Sequence, residues 1–132
     1  MPEQIPDPFM DLFDKRAFAN LATLMPDGQP QVTPVWCNWK DGHVWINSAR
    51  GRQKDRNIQR DPRVSMSLAD PNNPYRYLEV RGRVVEIIEQ GADAHIDSLA
   101  KKYLDLETYP RRKAGEVRVI YKVLPERVRT QG

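Results

Sequence analysis

The chain has one cysteine and two histidines in 132 residues, and these shortages exclude whole classes of chemistry. Cys37 cannot form a disulfide within the chain. Its place in the apolar run from Val32 to Trp39 suits a buried core thiol, because the sequence sets no histidine or cation beside it to make it a nucleophile. His43 and His95 are too few for a structural zinc site, and His95 falls one position off an apolar helical stripe, which predicts a surface residue. No G-x-S-x-G, P-loop or G-x-G-x-x-G occurs, so serine, cysteine and histidine catalysis all lack a signature and no catalytic residue is assigned. Long apolar runs are missing too. None could cross a bilayer, and the opening MPEQIPDPF has neither the basic nor the apolar region of a signal peptide, so a cytoplasmic protein with no membrane span is expected. A mean hydropathy of −0.71 leaves little apolar material for an isolated monomer, which predicts that a second subunit covers part of the surface.

What is present reads mainly as strand, in a single domain over residues 1–132 with one core. A short helix is expected after Asp7, carrying Phe9, Met10, Leu12 and Phe13 as a lid on one end of a barrel. Phe18 to Leu24 alternates as a first strand, Met25 to Gln29 is turn chemistry, and Gln31 to Trp39 is a second strand. Pro34 cannot donate to a ladder, so that strand lies at an edge or is bulged. Lys40-Asp41-Gly42 turns into a third strand, His43 to Ser48, completing a three-stranded meander. Val64, Met66 and Leu68 alternate with Ser65, Ser67 and Ala69 in a fourth.

Asp70 to Pro74 is expected as an irregular loop, and Tyr75 to Ile88 as a long strand bent at Gly82. Along it Tyr75, Tyr77, Glu79 and Arg81 share a polar, aromatic face that fits a site or an interface, opposite Leu78, Val80 and Val84. Ile96, Leu99, Ala100, Tyr103 and Leu104 place a helix over 93–104, followed by a basic loop over 105–115. The last strand turns Val117, Val119, Tyr121 and Val123 inward and Glu116, Arg118, Ile120 and Lys122 outward, and its polar tail LPERVRT is expected to reach a partner. This order predicts a mainly β fold with short helices, a closed or half-closed barrel whose curvature removes the sheet's edges.

Residues 50–63 hold six cations (Arg50, Arg52, Lys54, Arg56, Arg60, Arg63) against two anions (Asp55, Asp61), a local charge of +4 in a chain whose net charge is +3. A helix beginning near Gln53 aims its free N–H groups and positive dipole end toward whatever sits over Ser48, Arg52 and Lys54, a place for a phosphate or carboxylate. An anion-binding loop beside aromatic strands is equipment for holding a phosphorylated, ring-bearing cofactor. A pI near 9.1 and three tryptophans also allow a nucleic-acid-binding barrel, but the cations gather in one loop and Trp36, Trp39 and Trp45 lie within strands. No nucleic-acid partner is therefore expected.

The run from Trp45 to Leu68, with Gly28 to Trp39 before it and the strand from Tyr75 after it, resembles the pyridoxamine-phosphate-oxidase-like split β-barrel (FMN-binding, PNPOx-like) family. It is similar in particular to its small flavin/deazaflavin oxidoreductases that use coenzyme F420. The most specific part is R-x-K-x-x-N-I-x-R-D-P-R-V over residues 52–64. The resemblance implies that Arg52, Lys54 and Asn57 hold the phosphate and acidic tail of the cofactor. Gln31, Val32 and Thr33 would lie against its rings, Asn47 and Ser48 beneath the linker, and Tyr75 and Tyr77 would line the site, contributed across a homodimer interface. It also implies hydride transfer to or from a small unsaturated or quinone-like substrate. FMN, which also presents a phosphate, is the alternative cofactor, and a carrier of F420 without turnover the alternative role.

Overall fold

Alternating apolar residues build seven antiparallel strands that curl into a half-barrel, described by the computed structural model over residues 2–132. The strands are β1 (Ala19–Leu24), β2 (Pro30–Val35), β3 (Cys37–Lys40), β4 (His43–Ala49), β5 (Arg63–Asp70), β6 (Asn73–Ile88) and β7 (Arg118–Gln131). Two α-helices, α1 (Gln53–Arg60) and α2 (Ala92–Leu104), and a 3₁₀ helix over Asp7–Phe13 complete the chain. The fold is thus mainly β, a split barrel with short helices. Val44, Ile46, Val64, Met66, Leu68, Leu78, Val80, Val119, Tyr121 and Val123 fill its concave side, and Phe9, Leu12 and Phe13 of the 3₁₀ helix close one end, as the sequence predicts.

The run Gln31 to Trp39 is not one strand of a meander. It breaks at Trp36, and the sheet order β2-β1-β5-β6-β7-β4-β3 puts its two halves at opposite edges. A single residue joins those edges, so the sheet must curl until they approach each other there. Trp36 stacks on Tyr103 of α2 with ring centroids 5.2 Å apart and planes 8° from parallel. The Tyr103 hydroxyl accepts the Cys37 N–H at 3.1 Å and donates to the Ala17 carbonyl at 2.6 Å, satisfying the corner's backbone. Pro34 is at an edge, as its missing N–H requires. Cys37 is fully buried, and burial pushes its thiol up to about 11, the state of a core residue.

Two other expectations are corrected. Asp70 to Pro74 is a tight hairpin: Asp70 pairs with Asn73, and the Asp70 carboxylate accepts the Asn72 N–H at 2.9 Å. The tail of the chain continues β7, pairing with β6 from Ile88↔Ile120 to Tyr77↔Gln131. In β7 the inward set Val119, Tyr121 and Val123 is buried as expected, but Val117 is exposed and Arg118 and Ile120 are buried as well. The reason is α2, which packs over the outer side of β4 and β7 and buries Ile120 with Trp45 and Ala92. Gly82 is the bend of β6: a Cβ there would lie 2.1 Å from the Leu124 carbonyl oxygen, so only glycine permits β6 and β7 to approach through the bulge.

A charged cluster ties the 3₁₀ helix to the β5–β6 turn. Asp70 accepts from Lys15 at 3.0 Å and from Arg76 at 3.0 Å, while Arg76 also holds Asp11 at 2.7 Å. The Asn72 N–H first, and then Lys15 and Arg76, hold the Asp70 carboxyl down at about 2. A carboxylate more acidic in the folded than in the unfolded chain contributes stability that is present above about pH 4 and lost as pH falls toward 2. Urea midpoints measured from pH 5 to pH 2 should therefore decline in the wild type. They should decline less steeply in Asp70→Asn, which starts from a lower value; parallel curves would deny Asp70 this role.

Candidate functional site: a cationic cleft beside the barrel seam

The turn after β4 and the start of α1 are built around Asp55. Its buried carboxylate accepts the Gly51 N–H at 3.1 Å, the Gln59 amide at 3.0 Å and the Tyr121 hydroxyl at 2.7 Å, with Arg50 3.6 Å away. Burial and that carboxylate push the Tyr121 hydroxyl above its usual range, so it stays a donor. Arg52 caps the helix in extended conformation, its carbonyl accepting the Arg56 N–H at 3.0 Å. Arg52 and Lys54 then line one cleft at the start of α1.

The other walls come from distant parts of the chain. Phe18, Pro34, Val35 and Trp36 form the side at the seam, Ile96 and Tyr109 the side at α2, and Asn47 and Arg118 the floor. Arg118 is the charged cleft residue that sequence reasoning misses, because strand alternation assigns it to solvent. Its Nε donates to Asn47 Oδ1 at 2.9 Å, its Nη1 to Glu116 Oε1 at 3.1 Å, and its guanidinium lies 5.2 Å from the Tyr109 ring centroid. Asn47 is fixed in turn by donating to the Ala92 carbonyl at 2.8 Å and to His95 Nδ1 at 3.0 Å.

His95 is accordingly a buried residue and not the surface one that its offset from the helical stripe predicts. Burial first, then the charges of Lys40, Lys102 and Arg118, lower it to about 4, so it is neutral at physiological pH. Its Nε2 faces Asn38 Oδ1 at 2.7 Å, which fits a proton on Nε2 and an acceptor at Nδ1.

Five of the six cations of residues 50–63 are taken up by the protein's own acceptors. Arg50 holds Glu89, Arg52 holds Glu116, Arg56 the Gly51 carbonyl, Arg60 the Leu24 carbonyl and Arg63 holds Asp61. Lys54 alone has no acceptor among the described residues. It is half-buried, and burial, Arg52 and Arg118 together lower its pKa. An unpaired ammonium held beside two guanidiniums is electrostatically incomplete, and an anion completes it.

Of the residues expected in the site, Asn47, Arg52 and Lys54 come together in this cleft. Asn57 does not reach it: fully buried, its amide donates to Thr23 Oγ1 at 3.0 Å and to Gln31 Oε1 at 3.4 Å, pinning α1 to β1 and β2. Ser48 is buried on the barrel side of β4 with Val44 and Ile46, away from the cleft. Gln31 and Thr33 are half-buried on β2, and Val32 is 62% exposed on its opposite face; within one chain the cleft is lined by the next residues along, Pro34 to Trp36. Tyr75, 78% exposed at the β5–β6 turn, and Tyr77, paired with Gln131, are also outside it. The cleft encloses about 210 Å³, below the roughly 300 Å³ at which complete small-molecule sites begin.

A family model described as Pyridoxamine 5'-phosphate oxidase matches residues 5–132. No curated protein matches the chain. Among solved structures, an F420 reductase is 37% identical with a TM-score of 0.84, over 95% of this chain and 98% of its own. A conserved hypothetical protein from Mycobacterium tuberculosis is 26% identical, with a TM-score of 0.74 over 98% of this chain and 86% of its own. HutZ, the heme storage protein from Vibrio cholerae, superimposes with a TM-score of 0.69 over 98% of this chain and 96% of its own; at 13% identity that likeness is one of fold alone.

Proposed function

The chain belongs to the pyridoxamine 5'-phosphate oxidase family, and on that premise we propose that it is an oxidoreductase that binds coenzyme F420 and serves hydride transfer between the deazaflavin and a small unsaturated or quinone-like substrate. The observation that carries this reading is Lys54, an unpaired cation at the start of α1 beside Arg52 and Arg118, facing a wall of Phe18, Trp36 and Ile96. A flat ring with a multiply anionic tail needs those two kinds of surface together. The likeness at 37% identity to an F420 reductase supports the choice of ring.

When bound, the coenzyme supplies the hydride. The protein's part is to orient and to stabilise charge. Lys54, Arg118 and the α1 N–H groups offer donors to the anionic tail and to negative charge on the reduced ring, and Phe18, Trp36 and Ile96 exclude water. The proton that completes the reduction would come from solvent at the mouth of the cleft, since no side chain of the cleft is assigned to move one.

A homodimer belongs to the same reading. The cleft is too small for the whole cofactor, and Tyr75, Tyr77 and Val32 are presented outward, where a second copy would add them to a neighbouring cleft. In this arrangement Gln31, Val32 and Thr33 flank the rings, while Asn57 acts from beneath by holding α1.

Titration of the protein with coenzyme F420 and, separately, with FMN, followed by tryptophan quenching at two salt concentrations, tests the proposal. F420 should bind at micromolar concentration or tighter, more weakly at higher salt, and in preference to FMN. Preference for FMN would make the protein a flavin oxidoreductase, and binding of neither would overturn the reading.

A further inference from the structure

Glu116 stands between the two arginines of the cleft, one carboxylate oxygen on each: Oε1 at 3.1 Å from Arg118 Nη1 and Oε2 at 3.3 Å from Arg52 Nη2. The two contacts differ in kind. Arg118 has a side chain only 4% exposed and is also held by Asn47 and Tyr109, so its pair with Glu116 is fixed from three sides. Arg52 has a side chain 43% exposed, and Glu116 is its one side-chain partner among the described residues. Glu116 itself has a side chain only 12% exposed and keeps its bond to Arg118, so Arg52 is the end of the pair that solvent reaches and that can leave. Glu116 therefore occupies, from inside the protein, the position an incoming anion would take against Arg52, while Lys54 beside it has no counter-charge among the described residues.

We propose that Glu116 is a built-in counter-anion which the anionic group of a ligand displaces from Arg52, and that it thereby sets how strongly and how selectively the cleft takes anions. The proposal rests on the reading of the cleft as an anion site, and deepens it. Arg52 swings to the ligand, Glu116 stays on Arg118, and the cleft gains a cation only when the ligand outcompetes a carboxylate already in place. A small monoanion is satisfied by Lys54 alone and leaves the pair intact. A polyanion reaches both Lys54 and Arg52 and alone must part the pair, so Glu116 tempers the cleft's preference for polyanions.

Glu116→Gln tests this without assuming the cofactor. Affinity for tripolyphosphate is followed through the amide NMR shifts of Gly51 to Lys54, alongside affinity for inorganic phosphate and for coenzyme F420. The variant should bind tripolyphosphate about tenfold more tightly and with steeper salt dependence, because removing a unit charge this close outweighs the loss of one restraint on Arg118. Its preference for tripolyphosphate over inorganic phosphate should also widen, because only the polyanion has to part Arg52 from Glu116 in the wild type. Glu116→Asp, which keeps the charge, should stay near wild type and guards against a merely structural effect. Equal or weaker tripolyphosphate binding by a folded Glu116→Gln overturns the inference even if F420 binds. Tighter tripolyphosphate binding in a protein that ignores F420 upholds the inference and rejects the cofactor.

Discussion

Lys54→Ala should cost at least about a hundredfold in affinity for coenzyme F420 while leaving the fold as stable as before, or slightly more so. Charge-assisted hydrogen bonds contribute roughly 1.5–3 kcal/mol each, and Lys54 brings three donors that no acceptor among the described residues shares. Deleting it removes no intramolecular bond and relieves repulsion from Arg52 and Arg118. Its pKa is lowered in the folded chain, so its charged form destabilises the fold at neutral pH. The unfolded chain keeps the proton to higher pH, so wild-type stability rises as the folded Lys54 loses it. Any stability advantage of the variant should therefore shrink as pH climbs toward the ordinary lysine range. Isothermal titration for affinity and urea unfolding from pH 7 to 10 read the two effects separately. Unchanged affinity would remove the basis for an anion site here, and a large loss of stability would make Lys54 a structural residue.

Asp55→Ala should have the largest effect on stability, about 3 kcal/mol, lowering Tm by roughly 10 °C in a chain of this size. The substitution strips acceptors from the Tyr121 hydroxyl, the Gly51 N–H and the Gln59 amide at once, and Tyr121 is fully buried. Asp55→Asn should recover only part of the loss, since its amide nitrogen is a donor turned toward donors. Because the same carboxylate shapes the turn that carries Arg52 and Lys54, cofactor affinity should fall with it, even under conditions where the variant remains folded. Thermal unfolding, with affinity measured well below the transition, distinguishes the two. A loss under about 1 kcal/mol would show that the turn holds its shape without Asp55.

The elements legible in the sequence are those whose periodicity is local. Helix α1 begins at Gln53 and β5 alternates through Val64, Met66 and Leu68 as read. The break at Trp36 was not legible, because an apolar run carries no mark of which edge of a sheet each half will join. Two buried polar residues, His95 and Arg118, were assigned to solvent for one shared reason. Alternation and stripe rules weigh a side chain against one packed face, whereas α2 gives β4 and β7 a second, and the space between holds Asn47, His95 and Arg118 in a hydrogen-bonded chain. Charge counting likewise located the basic segment but not its division of labour, since whether an arginine faces a ligand or an acceptor of the protein depends on contacts up to 64 residues apart.

The junction at Trp36 makes ligand binding and barrel closure one equilibrium. Pro34 and Val35 of β2 with the adjoining Phe18 and Trp36 on one flank of the cleft, and Asn47 of β4 and Arg118 of β7 on the other, meet through no hydrogen-bonded ladder, since β2 and β3 are the two ends of the sheet. A molecule held by both flanks bridges ends that the backbone joins at one residue. Its binding energy then opposes the parting of those ends, by RT ln(1 + [L]/Kd) at free ligand concentration [L]. Slowed amide hydrogen exchange would spread along β2 and β3, including residues that never touch the ligand, before it reached the already paired centre of the sheet.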